Sequence, residues 1–342
     1  MNDFHDPITR ATIADVARRA GVSTATVSRV INRSGPVSEQ TTVRVWGAIS
    51  ELNYAPHSGA REMAAAGKPR TLGLTLPSAG GYFFSEMLQG IESAVGQHDL
   101  LIHVTNAPAN EREAFFLPLN EHNTAGLLVF ANSLTAEAIA SLHDRGLPMV
   151  LLHCSPAPGL ALPSVVFENV AGARGIVDHL IEVHGCRRIA FLAGPVGVED
   201  AGLRFEGYRR SLEAHGLPYD EGLVGQGGYD DRLAETAVSR WLAGGLQFDA
   251  IFAADDASAV GALTALRKAG KRVPNEVALV GFDDAPLSRH LSPPLTTVRA
   301  PIPAAGASAA EKLLHLIETG TGGGQTMLPT ELVIRRSCGC EN

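Results

Sequence analysis

From Thr71 onward the chain alternates short apolar runs with longer segments of helical periodicity, and few folds accept that alternation. The apolar runs are TLGLTLP, LLIHVTN, GLLVF, PMVLLH, SVVFE, RIAFLAG, AIFAAD and VALVGFD. Helical patterns cover residues 84–97, 171–184, 206–215, 231–243 and 257–269 between or after them. Strands that are apolar along their whole length, separated by helices, predict parallel sheets covered on both faces. The number of strands suits two doubly wound lobes better than one. A ligand of such lobes sits beyond the carboxyl ends of the strands, in the cleft. With 342 residues, 45% of them hydrophobic, the chain has material for two or three cores.

The first 70 residues follow a different rule. TIADVARRA opens with Thr12 and carries Asp15 three residues later, a capping-box pattern, and Ile13, Val16, Ala17 and Ala20 share one helical face. Gly21 ends that helix. Ser23 caps a second, STATVSRVIN, whose apolar seam is only Val27, Val30 and Ile31. A third begins at Ser38, with Val43, Trp46 (or Val45), Ile49 and Leu52 as its stripe. Two short helices joined at a glycine and closed by a third predict a helix-turn-helix. The second helix is poor core material because its outer face suits a major groove. Arg29 can donate a bidentate pair to guanine, Thr24 can contact bases or phosphates, and Ala25 can meet a thymine methyl.

Charge supports that division. The net charge is −8, but residues 1–70 hold nine Lys/Arg against six Asp/Glu, and the remainder 19 against 30. A basic head on an acidic body is the pattern of a polyanion-binding module joined to another function. The N-terminal residues lack the apolar segment of a signal peptide and no apolar run is long enough to span a bilayer, so a cytoplasmic protein without membrane contact is expected. Cys154 and Cys186 lie in apolar surroundings and read as reduced core residues. The tail SCGC sets Cys338 two residues from Cys340, but no Cys or His set at zinc-like spacing stands with it in the sequence. No metal and no cofactor are expected on that ground.

The stretch TIADVARRAGVSTATVSRVINRSGPVSEQTTVRVWGAISELNYAP resembles the DNA-binding head of the lactose/galactose repressor (LacI/GalR) family nearly position for position. The body resembles the same family, and hence the sugar-binding proteins of type I periplasmic-binding fold. YFFSEMLQGIE, AGP before GLRFEGYRRSL, IFAADDASAVGALTAL and RVPNEVALVGFDD followed by LSPPLTTVR carry that likeness, which spans residues 12–337. The resemblance implies an α/β chain with a helix-turn-helix head (residues 1–56), a hinge helix or linker (57–70) and two doubly wound lobes. The N-terminal lobe is expected over 71–164 plus 293–325, and the C-terminal lobe over 165–292 plus 326–342. It also implies base reading by Thr24, Ala25 and Arg29. Thr12, Ser23, Thr26, Ser28, Asn32, Ser38, Thr41 and Tyr54 would hold phosphates or position the head. The hinge would order on cognate DNA and wedge an apolar side chain into the minor groove. His57, Ala60 and Met63 occupy it here, with His57 where asparagine is usual and Met63 where leucine is usual. Gly59 lowers helix propensity further.

In the body, strand ends and resemblance together nominate Phe83, Phe84, His153, Asp200, Arg204, Tyr229, Asp255 and Asp283 as effector contacts. Each has a plainer reading. Phe83 and Phe84 could be core, Arg204 could pair with Glu206 or Asp200 on the surface, and only one of the adjacent Asp283 and Asp284 should face a ligand. Asp255 stands where the family has asparagine, which puts the turn role of that position in question. An arginine beside carboxylates and aromatic rings suits a neutral polyol, so a small sugar is the leading effector and a purine or nucleoside the second.

The expected function is an effector-responsive repressor of carbohydrate-utilisation genes. It would bind a palindromic stretch of double-stranded operator DNA as a homodimer and be released by sugar. No heptad extension follows ELVIRRSCGCEN, so dimers without a tetramerising coil are expected. A sugar-binding protein or an α/β enzyme without regulatory role is the alternative of a different class. For the enzyme, the sequence shows no nucleophile elbow, metal motif or paired acid and base in a shared segment.

Overall fold

The computed structural model describes residues 12–32, 35–52, 70–78, 80, 82–105, 119–121 and 123–341. The expected contacts at Tyr54, His57, Ala60 and Met63, and the hinge up to residue 69, lie outside the described residues. The chain divides into two compact units, Met1–Pro69 and Arg70–Asn342.

The first unit contains α1 (Ile13–Ala20), α2 (Thr24–Asn32) and α3 (Glu39–Glu51). Thr12 and Asp15 form the reciprocal capping box at the start of α1, and Gly21 ends that helix at a φ of 66°. Ser23 and Ser38 accept hydrogen bonds from the backbone N–H groups of Thr26 (3.1 Å) and Thr41 (3.3 Å) as the next two helices begin. The core joins Val16, Ala17, Ala20, Val27, Val30, Val45, Ala48 and Ile49. One member of the α3 stripe is corrected: Val43 is 66% exposed, whereas Val45, the alternative named beside Trp46, is fully buried in helical register with Ala48 and Ile49, and Trp46 packs half-buried beside it.

Among the described residues, the second unit is built on three sheets. A six-stranded parallel sheet has the order β11-β5-β4-β3-β1-β2, from β1 (Thr71–Leu76), β2 (Asp99–Val104), β3 (Gly126–Phe130), β4 (Met149–Leu152), β5 (Ser164–Phe167) and β11 (Gln325–Leu328). A four-stranded parallel sheet has the order β7-β6-β8-β9, from β6 (Ile189–Ala193), β7 (Val224–Gln226), β8 (Ala250–Ala253) and β9 (Ala278–Val280). The third is an antiparallel pair, β10 (Thr297–Arg299) with β12 (Glu331–Val333), in which Val298 faces Leu332. Seven helices cover the sheets: α4 (Tyr82–Ala94), α5 (Ala136–Asp144), α6 (Asn169–Glu182), α7 (Glu199–Ala214), α8 (Asp231–Ala243), α9 (Asp256–Lys268) and α10 (Ile302–Thr319), counted among the described residues.

The two lobes form as expected, but their boundaries move. Val165–Phe167 and Thr326–Leu328 belong to strands of the six-stranded sheet, so the expected cuts after residues 164 and 325 fall inside β5 and β11. Residues 293–299 side with the other lobe, because Thr296 bridges Val280 and Arg299 bridges Asp283. The crossings therefore lie near Glu168, Ala300 and Pro329. The physical reason is that apolar patterning marks a buried strand without saying which sheet it joins. β11 alternates between exposed and half-buried residues and escapes the pattern altogether.

Helices α4 and α10 meet so closely that neither tolerates a side chain at the crossing. A Cβ on Gly90 would lie 1.9 Å from the Pro303 carbonyl oxygen, and one on Gly306 2.3 Å from that of Met87. Replacing Gly306 with alanine should therefore cost about 1–3 kcal/mol of stability. Gly324→Ala, where a Cβ meets nothing within 4 Å, is the control. Urea midpoints of the two variants provide the comparison.

Candidate functional site

Parallel strands from both large sheets end at one place, and the loops that follow them enclose a cavity of about 650 Å³. Phe83, Phe84, His153, Asp200, Arg204, Tyr229, Asp255 and Asp283 all line it. Phe83 and Phe84 open α4 after β1, and His153 follows β4. Asp200 and Arg204 lie in the first turns of α7, which begins at Glu199, well before the residue 206 expected from periodicity. Tyr229, Asp255 and Asp283 follow β7, β8 and β9.

Arg204 is the centre of this arrangement. It is 2% exposed and does not form the surface pair with Glu206 that its plainer reading allowed. Its Nε donates to Asn169 Oδ1 (2.9 Å) and its Nη1 to the Ala254 carbonyl (2.6 Å), while Nη2 stands 3.0 Å from Asp283 Oδ1. The guanidinium lies 3.8 Å above the Phe282 ring centroid. Burial works against its charge, but Asp283, Tyr229, Asp200 and Asp255 outweigh that and hold it firmly protonated. Asn169 also donates to Asp200 Oδ1 (2.8 Å), and Asp200 Oδ2 lies 3.3 Å from His153 Nδ1.

The acids around it fall into different roles. Asp255 accepts from the Ala257 and Ser258 N–H groups (3.1 and 3.0 Å), so it caps α9 as well as lining the cavity, and burial raises its pKa. The turn role left open at this position is therefore kept by the aspartate. Burial also pushes Asp283 well above the usual carboxylate range, with Arg204 opposing. Asp284 points elsewhere, to Arg299 Nε (2.9 Å) and Arg335 Nη2 (2.5 Å). Both aspartates have positive φ, 106° and 59°. Asp256 accepts from Ser288 Oγ (2.6 Å), Thr297 Oγ1 (2.6 Å) and Ala285 N–H (2.8 Å).

The opposite wall is aromatic. Phe83, Phe84, Phe130 and His153 touch one another at centroid separations of 5.1–5.9 Å. Phe83 and Phe84 meet edge to face at 83° and pack on the main core as well as lining the cavity. Several polar atoms of the lining are buried without a hydrogen-bond partner: both His153 ring nitrogens, the Tyr229 hydroxyl and Asp283 Oδ1. The Arg204 and His153 ion-pair contacts thus lack hydrogen-bond angles. Phe130 and Asn169 were not singled out in the sequence. Phe130 ends a strand and could have been found by that rule, whereas Asn169 opens a helix and gives no such signal.

On the head, Ser23, Thr24, Ala25 and Arg29 are exposed, Thr26 and Ser28 half-buried, and Val27 and Val30 buried between them. The hydroxyl-rich face of α2 is thus its outer face. Asn32 is the last residue of α2, and its side chain lies outside the description. Thr12, Ser23 and Ser38 are committed to helix caps, and Thr41 and Thr26 receive or share hydrogen bonds with those caps.

The expectation that Cys338 and Cys340 have no histidine partners is corrected. The fold brings His179 and His184 to them, and all four donor atoms lie within 4.8 Å of one another. Sequence spacing hides this set, since the pairs come from α6 and the far end of the chain.

A model of the bacterial regulatory proteins of the lacI family matches residues 12–57, and one of the periplasmic binding protein-like domain matches residues 177–338. The transcriptional regulator GalS of Salmonella typhimurium is 35% identical over 307 residues, 89% of each chain. The HTH-type transcriptional repressor PurR of Yersinia pestis is 31% identical over 331 residues, 96% of each chain. The chain belongs to the LacI family. As a LacI-family protein it is a DNA-binding transcriptional regulator, and its curated relatives are regulators too, not enzymes. Among solved LacI-family structures, a CelR–cellobiose complex is 30% identical with a TM-score of 0.72, covering 96% of this chain and 100% of that one. The lac repressor dimer bound to operator and the anti-inducer ONPF is 26% identical with a TM-score of 0.69, covering 96% and 99%. No described helix is long and apolar enough to cross a membrane.

Beneath the LacI-family cleft, burial pushes the Asp256 carboxyl up to about 7 against the three donors that favour its ionised form. This lies above the unfolded value of about 3.9, so the neutral acid favours the folded state at low pH and the advantage fades as pH rises toward 7. Urea midpoints measured across that window should fall more with rising pH for the parent protein than for Asp256→Asn.

Proposed function

We propose that this chain is a sugar-responsive repressor, a dimer that holds a palindromic operator and lets go when a small neutral sugar fills the cleft. The reading rests above all on the lining: aromatic rings on one wall, and buried polar atoms of His153, Tyr229 and Asp283 whose hydrogen-bonding capacity is left unmet. A sugar ring matches both, since its C–H faces cover aromatic surface and its hydroxyls satisfy the orphaned donors and acceptors. One guanidinium faces Asp200, Asp255 and Asp283, an electrostatic balance that disfavours a phosphorylated or otherwise anionic ligand. A purine is the weaker fit, because Phe83 and Phe84 stand edge to face and offer no parallel sandwich for a base. The cellobiose held by CelR supports the same choice.

The mechanism follows from contacts that cross the cleft. Glu199 at the start of α7 accepts from the Ser155 N–H (2.7 Å) and hydroxyl (2.6 Å) beyond β4, and His153 faces Asp200 nearby. A ligand that touches both lobes adds to these contacts in one lobe orientation and not in another. It shifts the operator-binding equilibrium by no more than that difference in affinity. On DNA, Thr24, Ala25 and Arg29 read bases in the major groove, the capped starts of α1, α2 and α3 face phosphates, and the hinge residues His57, Ala60 and Met63 enter the minor groove. Two-fold symmetry of the dimer matches the two half-sites. Such a protein acts in the cytoplasm, where the chromosome is.

Thermal-shift screening against neutral sugars, sugar phosphates and purines tests the ligand class. A neutral sugar should stabilise the protein and lower operator affinity, while Arg204→Ala and Asp283→Asn keep operator binding and lose the response. Stabilisation by purines alone would replace the sugar reading. On the head, Arg29→Ala should cost about 1–3 kcal/mol on the operator and relax base choice at one position of each half-site. An equal loss on random duplex would make Arg29 a phosphate contact.

A further inference from the structure

The cluster at the end of α6 plays no part in the cleft. His179 lies in the last turn of that helix, His184 follows it, and Cys338 and Cys340 belong to the tail after β12. His179 Nε2 and His184 Nε2 are 3.3 Å apart, and Cys340 Sγ is 3.7 and 3.5 Å from them. Cys338 Sγ lies within 4.8 Å of all three. Zinc bonds of about 2.0–2.1 Å to nitrogen and about 2.3 Å to sulfur give tetrahedron edges of about 3.3 Å between nitrogens and about 3.6 Å between nitrogen and sulfur. The three measured separations are such edges.

We propose that His179, His184, Cys338 and Cys340 form a closed, tetrahedral Cys₂His₂ zinc site that clips the tail to α6. The donor set is the soft thiolate and imidazole combination zinc prefers over calcium or magnesium. Each thiol releases one proton to solvent on binding, so Zn²⁺ with two thiolates and two neutral imidazoles is a neutral unit that suits a half-buried place. The surroundings fit this role. Thr296 Oγ1 donates to Cys338 Sγ (3.1 Å), a hydrogen bond that orients a ligand sulfur. Gly339, with a φ of 116°, turns the chain between the two cysteines, and a Cβ there would lie 3.0 Å from His184 Nδ1.

Four protein ligands leave no open position, so the site is structural rather than catalytic. What it fixes is specific. Ser337, one residue before Cys338, pairs with β9: its carbonyl accepts from the Leu279 N–H (2.9 Å) and its hydroxyl donates to the Leu279 carbonyl (2.6 Å). The same segment leads back to β12 and the third crossing between lobes. The clip therefore anchors one of the connections about which the lobes pivot.

The test uses the full chain, free of affinity tags, purified under reducing conditions from zinc-supplemented cells. Elemental analysis should find about one zinc per chain, and chelation should lower the melting temperature on the order of 5–10 °C, reversed by zinc. Cobalt added to the stripped protein should give the absorption of tetrahedral, thiolate-bound Co²⁺. Cys340→Ser and His184→Gln, both at half-buried positions, should lose the metal and the chelator response while keeping the circular dichroism of the parent. Metal content unchanged in both variants would overturn the site. So would a parent protein with all thiols reduced that neither carries zinc nor is stabilised by it, or one isolated with Cys338 in a disulfide.

Discussion

A guanidinium with almost no access to water holds the two halves of the cleft chemistry in place. Arg204 cannot be buried alone, since an unpaired charge in such surroundings is costly. Each of its three nitrogens meets one partner, an amide, a carbonyl and a carboxylate in turn, and its flat face rests on Phe282. Those partners come from the start of α6, the end of β8 and the loop after β9. Fixing one side chain therefore fixes the ends of several strands relative to one another. Asn169 extends the network to Asp200 and so to His153 in the other lobe.

Much of this was legible in the sequence because strand ends are where doubly wound folds place ligands. Asp283 could be nominated from its place at the end of the VALVGF run, and Arg204 from its place after FLAGP together with the family resemblance. What was hidden followed from physics that periodicity does not carry. Asn169 acts through a hydrogen bond made at a helix start, and β11 is an edge strand without a buried face. Val43 and Val45 sit two residues apart on α3, where only the packing partner decides which is inside. The Cys/His set is assembled by tertiary folding, so no local spacing announces it.

The head shows the opposite case, in which poor core material was itself informative. Helix α2 buries Val27 and Val30 but presents Thr24, Ala25 and Arg29 to solvent. A helix that contributes so narrow a seam is held by its neighbours α1 and α3, whose capped starts and buried valines supply the rigidity. Recognition surfaces of this kind are carried by a scaffold that does not depend on them for stability.

The adjacent aspartates after β9 have a mechanical consequence. Asp283 faces Arg204 in the cleft while Asp284 grips Arg299 and Arg335, which flank the β10–β12 pair at the lobe crossings. Both residues sit at left-handed backbone angles, where few rotations are free. One dipeptide thus ties the carboxylate beside Arg204 to the ion pairs at the lobe crossing, and neither aspartate can be repositioned without regard to the other.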